Sequence, residues 1–277
     1  MTDTGTLQQQ ATTAKRALSL MDLTSLDTAD NTATVSAMAE RANTPFGAPA
    51  ALCIWPHLVP AARAALVKQN LKNVRLATVT NFPHGGENAA AAAREAESAI
   101  EQGADEIDVV FPWSALLDGN TAAGQSVVAQ SRKAAGSKVL KAILETGMLR
   151  DPALIRQAGE ISITAGADFL KTSTGKVDVN ATPDAARIML ETIRDCGRKV
   201  GFKASGGIRT VADAGLYLDL AEQIMGPDWI SPETFRFGAS GLLADILATL
   251  GHKGAPPGRA WVLRRRGRRI PACAPLS

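Results

Sequence analysis

The stretch Ala165-Gly-Ala-Asp-Phe-Leu-Lys-Thr-Ser-Thr-Gly-Lys176 places a lysine inside an apolar run and follows it with three hydroxyl side chains and a glycine. Gly166 is suited to ending a helix, and Phe169 and the β-branched Thr172 predict a short strand directly after it. Since strand residues alternate between two faces, Lys171 shares a face with Phe169. Burial of an ammonium group is costly, so such a lysine tends to lose its proton or to pair with an anion.

A second stretch, Ala99-Ile-Glu-Gln-Gly-Ala-Asp-Glu-Ile-Asp-Val-Val110, repeats this pattern. Its glycine, Gly103, lies 63 residues before Gly166, which matches two βα units of about 30 residues each. Eight runs fit short strands: Leu18–Asp22, Ala51–Trp55, Arg75–Thr80, Glu106–Phe111, Val139–Glu145, Phe169–Thr174, Val200–Ser205 and Phe235–Ser240. We therefore predict a single (β/α)8 barrel with an extra N-terminal helix. A doubly wound open sheet is the alternative, because periodicity alone does not prove closure.

The basic residues are unevenly distributed along the chain. The net charge is +3, but seven of the thirty lysines and arginines follow His252, with no acidic residue among them. Residues 1–252 therefore hold 23 basic and 27 acidic residues, a net charge of −4. Residues 253–277 also contain four of the fourteen prolines. We predict a barrel domain over residues 1–252 and a basic, disordered tail over residues 253–277.

Several protein classes are not indicated by the sequence. The first ten residues lack the basic and apolar regions of a signal peptide, and no apolar run is long enough to cross a bilayer. The three cysteines and three histidines are scattered, which argues against a disulfide framework and a metal site. No G-x-G-x-x-G follows the first predicted strand, so a nicotinamide cofactor is not indicated. We expect a cytoplasmic protein that uses no membrane, metal or cofactor.

Charged residues recur inside the predicted strands. Lys141, Lys171 and Lys203 lie in the fifth, sixth and seventh strands, and Asp108 lies in the fourth. In a barrel, chemistry gathers at the C-terminal ends of the strands. A single lysine at such a position could also extend its charge to solvent, and Asp108 could form a buried ion pair. For Lys141 three roles stay open: it could support the charge of Lys203, pair with a carboxylate, or point outward.

These residue types together predict lysine-dependent aldol chemistry. A second ammonium disfavours the charged form of a lysine, and Lys203 is the candidate beside Lys171. A neutral Lys171 could form a Schiff base, whose protonated nitrogen accepts the electrons of a breaking C–C bond. Asp108 is the candidate for the proton transfers that this reaction needs. Asp22 could hydrogen-bond a substrate hydroxyl or cap the turn that follows it.

Glycine-rich turns follow the last two predicted strands, at Gly206-Gly-Ile-Arg209 and Gly238-Ala-Ser-Gly241. In many barrels the loops at these positions bind phosphate through backbone N–H groups and a helix N-terminus. Gly175 and Lys176, after the sixth strand, add further N–H groups and a positive charge. A Gly-Gly pair also occurs in ordinary tight turns. Two such turns beside Lys176 nevertheless predict a phosphate site.

Six motifs together resemble those of the deoxyribose-phosphate aldolases and span the chain from about residue 15 to residue 252. They are Ser19-Leu-Met-Asp-Leu-Thr24, Ala77-Thr-Val-Thr-Asn-Phe-Pro-His-Gly85, Gly103-Ala-Asp-Glu-Ile-Asp-Val-Val-Phe-Pro112, residues 166–176, Val200-Gly-Phe-Lys203 with Gly206-Gly-Ile-Arg209, and Arg236-Phe-Gly-Ala-Ser240. The resemblance implies a metal-independent class I aldolase. Such an enzyme reversibly cleaves 2-deoxy-D-ribose 5-phosphate to D-glyceraldehyde 3-phosphate and acetaldehyde, in deoxynucleotide and deoxynucleoside breakdown.

The resemblance also implies roles for individual residues. Lys171 would form the Schiff base, Lys203 would alter the proton affinity of Lys171, and Asp108 would transfer protons. The implied substrate-binding residues are Asp22, Thr24, Thr172, Gly175, Lys176, Gly206, Gly207, Gly238 and Ser240. The partners would be phosphorylated sugars and aldehydes, without a cofactor. The family resemblance further implies a homo-oligomer, either a dimer or a tetramer.

Two alternatives to this function remain at the level of sequence. Another Schiff-base barrel, transaldolase-like or of the fructose-bisphosphate type, would form a three-carbon enamine in place of a two-carbon one. A nucleic-acid-binding protein acting through residues 253–277 is the other alternative. It has less support, because the arginines of that segment have no aromatic residue among them beyond Trp261.

Overall fold

The computed structural model describes residues 3–252. The predicted tail over residues 253–277, and with it Cys273 and the nucleic-acid alternative, lies outside the described residues. The division of the chain after residue 252 therefore stays a prediction. None of the described helices is long and apolar enough to cross a membrane.

Eight parallel strands form a closed barrel in which each strand pairs with its neighbours in sequence and the last pairs with the first. The strands are β1 (Met21–Thr24), β2 (Ala51–Ile54), β3 (Arg75–Thr80), β4 (Glu106–Val110), β5 (Val139–Ile143), β6 (Phe169–Lys171), β7 (Gly201–Ser205) and β8 (Phe235–Ala239). The predicted (β/α)8 barrel is confirmed, and the doubly wound open sheet is wrong.

Helices connect the strands, and one further helix precedes the barrel. The helices are α1 (Asp3–Ser19), α2 (Thr32–Ala42), α3 (Val59–Lys68), α4 (Ala89–Glu101), α5 (Trp113–Leu117), α6 (Thr121–Ala135), α7 (Thr146–Leu149), α8 (Pro152–Thr164), α9 (Pro183–Asp195), α10 (Val211–Met225) and α11 (Leu242–Thr249). Helix α1 packs against α10 and α11, and Arg16 of α1 lies 2.6 Å from Glu222 of α10. The extra N-terminal helix is confirmed.

The predicted boundaries match the structure at β3 and differ from it by one to three residues at the other strands, most at the first and the sixth. The first strand was expected over Leu18–Asp22, but α1 continues through Ser19 and β1 occupies Met21–Thr24. The apolar run at this point fits the buried face of a helix as well as a strand, so periodicity does not locate the junction. Strand β6 ends at Lys171, three residues before the predicted end, because Thr172 to Thr174 already belong to the loop that follows.

The two faces of the barrel wall differ in chemistry. Side chains on the outer face, such as Leu140 and Leu170, belong to a large buried apolar core beneath the helices. Leu170, for example, lies against Gly159 of α8, where an added Cβ would approach to 3.1 Å. The inner face carries Lys141 and Lys171, both fully buried or nearly so. A barrel interior is usually filled by branched apolar side chains, so this charged interior marks a functional region.

Candidate active site

Three buried lysines converge on one carboxylate at the centre of the barrel. Lys171 Nζ and Lys203 Nζ each lie 2.8 Å from Asp108 Oδ2, and Lys141 Nζ lies 2.8 Å from Asp108 Oδ1. The pairing of the strands explains the convergence, because Asp108 stands level with Lys141, and Lys171 stands level with Lys203. The structure thus brings together the three residues predicted to be catalytic. It also answers the open question about Lys141, which pairs with a carboxylate.

The lysine cluster continues into a second set of charges. Lys141 Nζ lies 2.6 Å from Glu106 Oε2, and Glu106 Oε1 lies 2.9 Å from the Arg236 guanidinium. Arg236 lies 2.6 Å from Asp22 Oδ1, and Asp22 Oδ2 lies 2.5 Å from Lys203 Nζ. Together with the contacts of Asp108, these pairs close a loop of alternating cations and anions. We call this loop the charge ring; its members are Lys203, Asp108, Lys141, Glu106, Arg236 and Asp22.

The charge ring holds Asp108 and Lys203 in their ionised forms. Burial alone would raise the pKa of Asp108, but the ammonium groups of Lys141, Lys171 and Lys203 hold it well below its usual value. Burial alone would likewise lower the pKa of Lys203, yet the carboxylates of Asp108 and Asp22 raise it above the ordinary lysine value. Lys203 is therefore a lasting positive charge beside Lys171, and Asp108 stays available as a carboxylate.

A cleft of about 860 Å³ opens at the C-terminal ends of the strands. It is lined by most of the predicted substrate-binding residues: Thr24, Gly175, Lys176, Gly206, Gly207, Gly238 and Ser240. Helix α11 starts at the edge of this cleft, and no side chain caps its first turn. Its exposed N–H groups and the positive end of its dipole suit an anion. Lys176 adds a charge, and its Nζ donates to the carbonyl oxygen of Leu26, 2.6 Å away.

The floor of the cleft lies directly over the lysine cluster at Gly238. A Cβ added to Gly238 would approach Lys203 Cε to 3.0 Å and Ser205 Oγ to 2.5 Å. Only glycine leaves room for these two side chains. Gly206 lies beside it with a φ of 84°, and a Cβ there would approach Asn180 to 2.7 Å. The glycines that were predicted to bind phosphate therefore also allow the floor of the cleft to lie close to the charged side chains of the barrel interior.

Two predicted substrate-binding residues lie elsewhere. Thr172 exchanges hydrogen bonds with Ser205: its hydroxyl donates to the Ser205 carbonyl oxygen and accepts from the Ser205 N–H. It therefore joins the ends of β6 and β7 and does not line the cleft. Asp22 is fully buried in the charge ring. Its side chain neither caps the following turn nor faces the cleft, and the Thr24 hydroxyl donates to its carbonyl oxygen.

No role was predicted from the sequence for Glu106, Arg236 or Glu145. The first two have a signal in the sequence, since each interrupts an apolar strand, and Glu106 shares a face with Asp108. Glu145 follows β5 in the left-handed backbone region, with a φ of 56°. Its carboxylate accepts hydrogen bonds from the hydroxyl and the backbone N–H of Thr174. Burial raises the pKa of Glu145, although these hydrogen bonds oppose the shift.

Comparison with known proteins agrees with this geometry. The chain matches the DeoC/LacD family of aldolases over residues 16–242. A Toxoplasma gondii protein provisionally named a deoxyribose-phosphate aldolase has a TM-score of 0.82 at 23% identity, covering 88% of this chain and 96% of its own. A Coccidioides immitis protein with the same provisional name has a TM-score of 0.74 at 26% identity, covering 86% of each chain.

A third solved structure is the tetrameric deoxyribose phosphate aldolase from Aeropyrum pernix, with a TM-score of 0.68 at 24% identity. The match covers 91% of this chain and 99% of that one. These structural likenesses show a shared barrel, and the family match extends over most of the sequence, including every residue of the charge ring. The chain therefore belongs to the DeoC/LacD family of aldolases.

Proposed function

We propose that this aldolase reversibly cleaves 2-deoxy-D-ribose 5-phosphate to D-glyceraldehyde 3-phosphate and acetaldehyde, with Lys171 as the Schiff-base residue. The observation that carries the proposal is the position of Lys171. It shares Asp108 Oδ2 with Lys203, and Lys203 lies directly beneath Gly238 in the floor of a cleft whose walls suit a phosphate group. A lysine for covalent chemistry, a carboxylate for proton transfer and an anion site are therefore adjacent.

In the cleavage direction, the neutral Lys171 amine attacks the aldehyde carbon of the open-chain sugar and forms a carbinolamine. Loss of water gives a protonated Schiff base. Removal of the proton from the C3 hydroxyl then breaks the C2–C3 bond, and its electron pair moves through C2 toward the cationic nitrogen to give an enamine. D-glyceraldehyde 3-phosphate leaves, C2 is protonated, and water releases acetaldehyde and the free lysine.

Asp108 supports the proton transfers in these reaction steps. Its carboxylate touches Lys171 at 2.8 Å, so it can receive a proton from the attacking amine and help to expel water from the carbinolamine. Lys203 stays protonated and disfavours a second charge on Lys171. The cleft residues Lys176, Gly206 and Gly207 would hold the phosphate, so that the reacting carbons reach down to the lysine.

Borohydride trapping tests the covalent step. Wild-type protein and the Lys171→Ala variant are treated with borohydride and either acetaldehyde or 2-deoxyribose 5-phosphate, then analysed by intact mass and peptide mapping. We expect an adduct on Lys171 in the wild type, unaffected by a chelator, and none in the variant. The exposed Lys68→Ala serves as the matched control and should be labelled like the wild type. An adduct on another lysine, or none in folded wild-type protein, would reject the proposal.

Borohydride trapping also distinguishes an aldolase that forms a two-carbon enamine from one that forms a three-carbon enamine. Dihydroxyacetone phosphate, which would form a three-carbon enamine, should give little adduct compared with acetaldehyde. A stronger adduct with the three-carbon compound would favour the other Schiff-base aldolases. The two-carbon prediction rests on the small side chains beside the lysine cluster, among them Cys53, which is fully buried close to Lys171 and Lys203.

We further propose a cytoplasmic homo-oligomer, either a dimer or a tetramer. Cys53 and Cys196 are free thiols within the described residues, which supports a reducing compartment. The related A. pernix enzyme is described as a tetramer. Light scattering at several protein concentrations would test the oligomeric state, and a monomer at every concentration would reject it.

A further inference from the structure

The charge ring is electrically neutral by itself. It contains three cations, Lys141, Lys203 and Arg236, and three carboxylates, Asp22, Glu106 and Asp108. Every cation in the ring lies within 2.9 Å of two ring carboxylates, and every carboxylate lies equally close to two ring cations. Lys141 also lies 3.8 Å from Asp22 across the ring. Lys171 lies outside this loop and is joined to it only through Asp108 Oδ2. A protonated Lys171 would therefore add a fourth cation to the three carboxylates of the ring.

We propose that Glu106 and Arg236 are positioning residues for the aldolase reaction, because they close a neutral ring that leaves Lys171, alone among the three buried lysines of the described barrel, without a carboxylate of its own. This inference rests on the proposed role of Lys171 as the Schiff-base residue. The ring makes Lys171, and not Lys141 or Lys203, the buried amine that gives up its proton most readily. Neither Glu106 nor Arg236 touches Lys171, so both act through Asp108, Lys141 and Asp22.

Arg236 is suited to this task because a guanidinium does not lose its proton in proteins. Its side chain is held from several sides: it donates to Asp22, to Glu106 and to the carbonyl oxygen of Pro232, and it lies 5.9 Å from the centre of the Phe169 ring. A lysine at position 236 could lose its proton and thereby remove the extra positive charge at that position. Because an arginine keeps its proton, the extra positive charge can be removed only by deprotonation of one of the buried lysines.

Stability alone is a weak explanation for such a ring. Buried ion pairs are often no more stabilising than apolar side chains of similar volume, because each charge must be removed from water. An interior made of branched apolar residues would serve a barrel at least as well. The loss of one member, in contrast, would leave an unpaired buried charge. The arrangement therefore fits control of protonation better than it fits packing.

Other titratable groups also approach the cluster. Cys53 on β2 faces Lys171, Lys203 and Asp108, and burial raises the pKa of its thiol, so it contributes no charge at neutral pH. Glu145 after β5 faces Lys171 from the side of Thr174 but forms no ion pair with it within 4 Å in the described residues. Arg75, at the start of β3, lies 3.7 Å from Glu106 with its side chain 44% exposed, so solvent screens its charge.

The test is an NMR titration of protein labelled with ε-¹³C lysine, in which Lys171 is assigned from the Lys171→Ala spectrum. Arg236→Met removes one ring cation, so a protonated Lys171 becomes balanced. We expect the pH at which half of Lys171 is protonated to rise by about 1–2 units. In the double variant Arg236→Met with Glu106→Gln, one cation and one carboxylate are lost together, and the midpoint should return to within about half a unit of wild type.

Arg75→Met is the matched control, since it removes an arginine that touches Glu106 from the exposed side. Its Lys171 midpoint should stay that of the wild type. Arg236→Met without a shift, or a shift that the double variant does not reverse, would overturn the inference, because a merely structural role predicts loss of stability without this pattern. If Arg236→Met does not fold, the shape-preserving Glu106→Gln carries the test. It should move the midpoint of Lys171 or Lys141 to lower pH, and no shift in either would overturn the inference.

Failure of the proposed function would look different. The NMR titration requires no aldehyde, whereas borohydride trapping does. Trapping of acetaldehyde as a function of pH should follow the NMR midpoint in each variant, so that the acid side of the profile moves to higher pH in Arg236→Met. A wild-type protein that forms no adduct on Lys171 at any pH would reject the proposed function, and with it the catalytic role of the ring, whatever the titration shows.

Discussion

The barrel interior has two unlike sides. Strands β1, β4, β5, β7 and β8 supply the charge ring, in which every side chain is buried and paired. Strands β2 and β3 supply a small apolar cluster, which we call the apolar side; its members are Ala51, Cys53, Ala77 and Val79, together with Leu26 from the loop after β1. The two sides meet across the β3–β4 pair, where Val79 stands level with Asp108.

The two sides differ in the length and the charge of their side chains, and both differences bear on the Lys171 amine. The long side chains of the charged side fill their half of the interior and hold one another in place through ion pairs. The short side chains of the apolar side carry no charge that could compete for Lys171. The Lys171 amine thus has Asp108 as its electrostatic partner on the charged side, and we expect an aldehyde bound to it to lie toward the short side chains of the apolar side.

Removal of the shared carboxylate should break this arrangement most severely. In Asp108→Asn, three buried lysines lose their common partner and Lys171 loses its proton acceptor. We expect the rate of acetaldehyde trapping to fall about 10²- to 10⁴-fold, and the free energy of unfolding to fall by about 3–5 kcal/mol. Asp195→Asn, which changes a surface carboxylate with its side chain 47% exposed, is the control. It should leave the trapping rate unchanged and lower the free energy of unfolding far less than Asp108→Asn does, because exposed ion pairs contribute little to stability. A folded Asp108→Asn that is trapped at the wild-type rate would contradict the role of Asp108.

The loss of stability at low pH should come from the charged side and not from the apolar side. The pKa values of Asp22 and Asp108 are lower in the folded protein than in the unfolded chain. Their contribution is therefore complete above the unfolded value near pH 4 and is lost as the pH falls toward the folded values. Denaturant unfolding between pH 7 and pH 3 should show a loss of about 1 kcal/mol per carboxylate. Cys53→Ala, on the apolar side, should keep this pH dependence, whereas Asp108→Asn should weaken it.

Phosphate binding in the cleft above both sides should depend on the charge of Lys176. Lys176→Met removes the ammonium group from the cleft but leaves the backbone N–H groups of the glycine turns. We expect the affinity for inorganic phosphate, measured by inhibition or calorimetry, to fall about 10-fold. Trapping of acetaldehyde, which has no phosphate, should be unchanged. Lys68→Met provides an exposed control, and a phosphate affinity equal to that of the wild type would remove Lys176 from the anion site.

A substitution on the apolar side should have the smallest effect on trapping, and it tests whether the short side chains there set the size of the aldehyde that is accepted. Val79→Ala removes two methyl groups beside Asp108 without touching a charge. We expect the free energy of unfolding to fall by about 1–2 kcal/mol and trapping of acetaldehyde to stay close to wild type. Trapping of propanal should improve relative to acetaldehyde by about 3- to 10-fold, because the extra space accepts one more carbon. A ratio that stays constant would mean that Val79 does not set the size of the pocket.

Much of this architecture can be predicted from the sequence. The repeated units around Gly103 and Gly166 predict the barrel, and the charged residues inside apolar strands indicate Lys171, Lys203 and Asp108 as a group. The glycine turns predict the cleft. These signals are local, because each lies within a few residues of one strand end.

The charge ring could not be predicted in the same way. Asp22 and Arg236 are 214 residues apart, and their contact exists only because the barrel closes between β1 and β8. Asp22 therefore looked like a residue for substrate or for a turn. Thr172 was assigned to the substrate from the family resemblance alone; in the structure β6 ends before it, and its hydroxyl joins the neighbouring strand end.

The closure of the ring also has a consequence for how the chain folds. Asp22 on the first strand finds its close partners on the seventh and eighth, and Glu106 on the fourth finds Arg236 on the eighth. An intermediate that has assembled only the first six strands would hold Asp22 without its close partners and Glu106 without Arg236, inside a forming apolar wall. Such partly closed barrels are penalised, because unpaired buried charges are costly. The ring thus couples the two ends of the chain and favours a cooperative, all-or-none transition.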